Sequence, residues 1–140
     1  MKRILVAVDG SEPATRGARL AAEIAVRFGA RLTLVYVVPR LLLPPDAYGL
    51  TVDEVEREHR THAEHILAVA ATSLAGTGVA VDSQILFGPP AETLAEAAAA
   101  PDVSLMVAGS RGQGAVARML LGSVSDRLVH VCPKPILVVH

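Results

Sequence analysis

Five stretches of this chain are short and rich in Val, Ile or Leu, and most are apolar at successive positions: Lys2 to Val8, Arg31 to Val38, Val79 to Leu86, Val103 to Ala108 and Pro135 to Val139. A strand with one wet face alternates apolar and polar residues, whereas a strand covered on both faces does not need to, so these runs predict buried strands of a parallel sheet. Between them the period changes. Gly17, Ala21 and Ala25 lie beside Leu20, Ile24 and Phe28, with Arg16, Arg19, Glu23 and Arg27 opposite, which is the stripe of an amphipathic helix. Ser11 and Pro13 give that helix a start and Gly29 a stop. A second helix is expected from about Val52 to Leu74, with Val55, Ile66, Ala70 and Leu74 on one face. A third runs from Pro90 to about Ala100 and is closed by Pro101. The fourth begins near Ser123, where Ser123 and Asp126 have the spacing of a capping pair.

Strand and helix alternate throughout, so the expected architecture is one α/β domain: a five-stranded parallel sheet with right-handed crossovers placing helices on both faces. Ligands of such sheets bind outside the carboxyl ends of the strands, where the strand order reverses. Those ends are Asp9 and Gly10, Val38 and Pro39, and Gly109. Pro39 to Thr51, PRLLLPPDAYGLT, fits no element. It reads either as a surface loop whose leucines cover the sheet edge or as a lid or partner contact over the ligand site.

Composition narrows the partners. With 140 residues, 51% of them hydrophobic, the chain has enough apolar material for a single core. A net charge of -1 and scattered Lys and Arg argue against nucleic acid and membrane surfaces, which both require a basic footprint. No apolar run approaches the roughly 20 residues of a bilayer span. The opening MKRILVAVDG meets Asp9 after five apolar residues, short of a signal-peptide core of about 7 to 15. Cys132 is the single cysteine, which excludes an intramolecular disulfide and fits a cytoplasmic protein; buried filler at a helix end is its expected role.

The chemistry concentrates in GSRGQGAVARMLLGSVS, residues 109–125. Gly109 is followed after two residues by Gly112, after nine more by Gly122, and then by Ser123. Glycine costs backbone entropy, so such spacing implies that the main chain bends sharply or approaches something closely. Amides freed of Cβ atoms converge on an anion, and the first turn of a helix adds unpaired N–H donors at its positive end. The expectation is a phosphate site: N–H groups of Ser123, Val124 and Ser125 on the phosphates and the glycine loop under the sugar. Arg111 lies alongside as a charge partner or is simply an exposed loop arginine.

Taken together, VAVDGS at the first strand exit, VYVVP at the second, GSRG followed after nine residues by GSVSDRLV, and the closing PKPILVV make the chain resemble the universal stress protein family, specifically its ATP-binding branch. The resemblance runs over essentially the whole chain. It implies a Rossmann-like, adenine nucleotide alpha hydrolase-like fold, binding of ATP with Mg2+ or Mn2+, and a homodimer through the last strand, Pro135 to Val139. An apolar edge strand left open points the same way, because it tends to find another chain. Carried over residue by residue, the resemblance implies Ala7 and Asp9 near the nucleoside and Val37 offering backbone contacts to adenine. Gly109, Ser110, Arg111, Gly112, Gln113 and Gly114 would surround the ribose and phosphates, with Ser123, Val124 and Ser125 on the phosphates and Gly122 allowing their close approach. Tyr36 departs from the pattern, since members often have His before the matching valine; a main-chain role for Val37 is indifferent to that.

Other motifs weaken on inspection. Gly112 to Ala117 spell G-x-G-x-x-A, but the acid that a dinucleotide fingerprint needs about 20 residues on, after the next strand, is missing. No P-loop lysine motif occurs, so main chain and a water-completed divalent ion are left to hold the phosphates. No base with an orienting partner adjoins the motif; slow ATP hydrolysis is the most expected, with no catalytic residue. His59, His62 and His65 step by three along the second helix, which puts the outer pair on different sides. They are expected at the core edge, His59 and His62 continuing the stripe between Val55 and Ile66, not as metal ligands. Asp9 is suited both to brace the turn before the first helix and to meet the nucleoside. The expected function is that of a cytoplasmic ATP-binding stress-response protein, a nucleotide-dependent sensor or adaptor. Its rivals are an interaction module of the same fold without nucleotide and an enzyme transferring adenylate or splitting pyrophosphate, although VDGSEPA holds neither SGG-x-D-S nor H-x-G-H.

Overall fold

The computed structural model describes residues 1–40, 49–112 and 121–140. Strands β1 (Arg3–Ala7), β2 (Arg31–Val38), β3 (Val81–Phe87), β4 (Val103–Gly109) and β5 (Ile136–Val139) alternate with helices α1 (Glu12–Phe28), α2 (Val52–Ser73), α3 (Pro90–Ala98) and α4 (Ser123–Val131). All strand pairs are parallel, in the order β3-β2-β1-β4-β5. The expected α/β architecture is therefore present. Most of Pro39 to Thr51, the segment read as a loop or lid, lies outside the described residues.

Successive strand residues point to opposite faces, and the two halves of the core follow from this. Ile4 and Val6 of β1 join Leu32, Leu34, the alanines of α1 and Leu67 of α2 on one face. Leu5 joins Val35, Met106, Leu94 of α3 and Leu128 of α4 on the other. Both faces of the central strands are thus covered, which is why those strands read as unbroken apolar runs. The edge strand β3 departs from that expectation. Its Asp82, Ser83 and Gln84 are exposed, and Asp82 pairs with Arg31 at 2.5 Å.

Local signals explain the helix limits. Ser11 caps α1 by accepting a hydrogen bond from the Ala14 amide at 3.3 Å, and Gly29 ends it in the left-handed region at φ 65°. Of its predicted stripe, Gly17, Ala21, Ala25 and Ile24 meet the core, but Leu20 and Phe28 do not. Ala14, Ala18, Ala21, Ala22 and Ala25 are buried, whereas Leu20 is 38% and Phe28 63% exposed. The small face lets the helix lie close: a Cβ on Gly17 would stand 3.4 Å from the Val107 side chain. Larger residues are pushed to the margins.

Helix α2 starts at a capping box in which the Thr51 hydroxyl accepts from the Glu54 amide and the Glu54 carboxylate from the Thr51 amide. Its buried residues are Ala63 and Leu67; of the expected face Leu74 is buried at the C-cap and Val55, Ile66 and Ala70 are half-buried, while His59 is half-buried and His62 and His65 are exposed. In α4 the N-cap is Gly122, with Ser123 the first helical residue, so Ser123 and Asp126 are not the expected capping pair. Cys132 ends α4, half-buried against the second half of the core. Among the described residues no helix is long and apolar enough to cross a membrane.

Candidate functional site

The strand order reverses between β1 and β4, since β2 and β3 continue to one side and β5 to the other. Crossovers leave that crevice open above the carboxyl ends, and a cavity of about 530 Å3 occupies it. Ala7, Val8 and Asp9 line it from the exit of β1, Val35, Tyr36, Val37 and Pro39 from β2, and Ala108, Gly109 and Gly112 from the end of β4. Gly122, Ser123, Val124 and Ser125 bring the start of α4 to its wall, Pro90 and Leu94 that of α3, and His62 a side chain of α2. A volume of this order suits a nucleotide-sized ligand, and the walls are mainly apolar with a few polar groups converging.

Asp9 sits where the strand turns into α1. One carboxylate oxygen accepts from the Ser11 amide at 2.9 Å, bracing the turn ahead of the cap. The other lies where a Cβ on Gly112 would stand only 2.6 Å away. Gly109 is equally constrained, because a Cβ there would fall 2.7 Å from the Ala14 nitrogen. Neither these two glycines nor Gly122 has a positive φ. These positions therefore do not need the left-handed backbone that favours glycine, and close approach explains them: the first turn of α1 lies against the end of β4 at Gly109, and the Asp9 carboxylate against Gly112 beyond it.

The start of α4 is built from below. Ser110 is fully buried, its amide donating to the Val139 carbonyl at 2.7 Å. Its carbonyl accepts from the Gly122 amide and from the Ser125 hydroxyl, each at 2.6 Å. Ser125 also donates to the Gly122 carbonyl at 3.1 Å. The hydroxyl is thus turned into the protein, while Ser123 and Val124 are exposed at the cavity. As the first turn of a helix, residues 123–125 have amides without intrahelical acceptors, and the glycine N-cap carries no side chain to satisfy them. The positive end of the α4 dipole opens on the cavity.

At the β2 side, the ring of His62 meets that of Tyr36 edge to face, with centroids 6.1 Å apart and planes at 86°. Burial raises the Tyr36 pKa, and the Asp9 carboxylate raises it further, so the phenol stays a neutral donor. On the outer side Arg127 of α4 pairs with Glu92 of α3 at 2.9 Å, and that hydrogen bond lowers the Glu92 pKa. Among the described residues no three His, Cys, Asp or Glu side chains are grouped to hold a metal ion.

Of the residues singled out in the sequence, Ala7, Asp9, Val37, Gly109, Gly112, Gly122, Ser123, Val124 and Ser125 line one cavity. Ser110 and Arg111 are not on its wall. Ser110 is a buried junction instead. Gln113 and Gly114, like the rest of the G-x-G-x-x-A string beyond Gly112, lie outside the described residues. Sequence reasoning did not assign Pro90, Leu94 or His62 to the site. The first two carry no polar signal, and His62 reaches the cavity because the buried stripe of α2 runs through Ala63 and Leu67.

The model of the universal stress protein family matches residues 1–140. The chain belongs to that family. A universal stress protein of Thermus aquaticus is 39% identical over 140 residues, covering 99% of this chain and 98% of its own. The solved structure of universal stress protein UspA from Lactobacillus plantarum has a TM-score of 0.85 at 26% identity, covering 99% of this chain and 97% of that one. The universal stress protein from Archaeoglobus fulgidus, solved in complex with dAMP, has a TM-score of 0.77 at 24% identity over 100% of this chain and 98% of its own, a likeness of fold.

Proposed function

We propose that this universal stress protein binds an adenine nucleotide in the crevice between β1 and β4, with ATP as its ligand, and that occupancy makes it a sensor or adaptor in a cytoplasmic stress response. The observation that carries this reading is the glycine-capped start of α4, whose first-turn amides open on the switch-point cavity. The phosphates lie there, on Ser123, Val124 and Ser125. The adenine lies toward Val37, where a main-chain edge suits a flat base, with Ala7 and Asp9 near the sugar. The Archaeoglobus fulgidus relative holds dAMP on the same fold. Mg2+ or Mn2+ travels on the phosphates, its other positions taken by water. Hydrolysis is slow at most, and two copies pair through Pro135 to Val139.

The test is a melting curve of purified protein with ATP and magnesium. A ligand present at 100 times its Kd and bound only to the folded state stabilises it by about 2.7 kcal/mol, which moves Tm by several degrees. No shift at millimolar ATP, with no adenine nucleotide found by mass spectrometry in protein as purified, would reject the reading in favour of a nucleotide-free module. Stoichiometric release of pyrophosphate would favour the adenylate-transferring enzyme.

A further inference from the structure

Ser125 can serve a phosphate through its amide, and its hydroxyl has a separate task. In α1 the N-cap serine uses its oxygen to accept from the amide three residues on, consuming one of the free first-turn donors. In α4 the polarity is reversed. The serine stands at the third helical position and donates backward, to the carbonyl of its own N-cap Gly122 and to that of Ser110. It therefore spends carbonyl oxygens and leaves the amides of the turn free. The same Ser110 carbonyl also takes the Gly122 amide, and the Ser110 amide is fixed on Val139, so the clamp ties the first turn of α4 to the ends of β4 and β5.

We infer that Ser125 is a positioning residue: its buried hydroxyl, by joining the carbonyls of Ser110 and Gly122, sets the direction in which the α4 amides present themselves to an anion. The inference rests on the proposed nucleotide site and deepens it. Anion binding by amides depends steeply on their alignment, because a hydrogen bond weakens sharply as the angle at hydrogen closes. A first turn held only by its glycine cap would present its donors in a range of directions.

The test compares wild type with Ser125→Ala, and with Thr15→Val as a control, since the Thr15 hydroxyl makes the corresponding bond to the N-cap carbonyl of α1 at 3.1 Å. Calorimetry with ATP and with adenosine separates the phosphate contribution from that of the base. Expected for Ser125→Ala is a loss of ATP affinity on the order of tenfold, with adenosine affinity unchanged within about twofold, and no selective loss in the control. Ser125→Cys, nearly isosteric with a weaker donor, should show the same selective loss in smaller degree if the alanine variant does not fold. Equal losses for ATP and adenosine, or none for ATP, would overturn the inference. Should wild type bind neither ligand, the nucleotide reading fails, and 15N relaxation of the ligand-free protein still decides the positioning role: the order parameters of the Ser123 and Val124 amides must be lower in Ser125→Ala than in wild type, and unchanged values refute it.

Discussion

Two glycines and a serine at the end of β4 owe their roles to what the fold brings against them. Gly109 and Gly112 belong to a spacing that suggests phosphate, yet what crowds a side chain at each is the protein itself: the Ala14 nitrogen at 2.7 Å from one added Cβ and the Asp9 carboxylate at 2.6 Å from the other. Gly109→Ala should therefore destabilise the ligand-free protein by about 1–3 kcal/mol, the usual cost of overpacking against backbone. The partner of the Gly109 contact is main chain and cannot rotate away. Ser110 is as buried as any core residue, but its hydroxyl has no hydrogen-bond partner among the described residues. Removing an unsatisfied buried hydroxyl relieves a desolvation cost, so Ser110→Ala should leave stability within about 1 kcal/mol of wild type or raise it. Urea denaturation of both variants without nucleotide reads the contrast. A stable Gly109→Ala would mean that the end of β4 and the first turn of α1 are not pressed together as described.

At the scale of elements, the start of α4 differs from those of α1 and α2, which are capped by Ser11 and Thr51. A carboxylate at an exposed first-turn position complements the helix dipole, so Ser123→Asp should stabilise the ligand-free protein by about 0.3–1 kcal/mol. The same charge would repel the phosphates of ATP, so affinity for ATP should fall on the order of tenfold, about 1.4 kcal/mol, while that for adenosine holds. Gains and losses of opposite sign in one variant separate a phosphate site from a merely structural helix end; thermal melting and calorimetry on the same preparation suffice. Much of this organisation was legible in the sequence. The central strands declared themselves because a strand covered on both faces needs no polar positions, and Ser11 and Gly29 bounded α1 because each has a specific backbone task. Helix α4 begins at Ser123 as expected, but its cap is Gly122 and not Ser123. Gly-Ser-Val-Ser offers several plausible caps, and what selects Gly122 is its packing against residues 110–112, which no local pattern encodes. The face of α1 follows the expected stripe at Gly17, Ala21, Ala25 and Ile24 but leaves Leu20 and Phe28 exposed, because hydrophobicity ranks Leu above Ala whereas close packing on a sheet selects small side chains.

The whole molecule has two sheet edges with different chemistry. At β3 the exposed Asp82, Ser83 and Gln84 keep the edge wet, a common defence against pairing with another chain. At β5 the sequence is Ile-Leu-Val-Val, half-buried throughout, with nothing charged along it. The peptide groups of β5 divide cleanly. Met106 donates to the Pro135 carbonyl and Ser110 to that of Val139, so residues 135, 137 and 139 turn their backbone groups toward β4. By alternation, those of Ile136 and Val138 face the open edge. If two copies pair through this strand, the Val138 amide is among the donors that cross between them, and it takes no part in holding β5 to β4. Val138→Pro removes that donor alone, and proline is tolerated where an edge strand turns its amide outward. The variant should fold, retain ATP affinity within a few-fold, and sediment as a monomer at concentrations where wild type sediments as a dimer. A wild type that stays monomeric at tens of micromolar, or a proline variant that still dimerises, would place any self-association on a different surface.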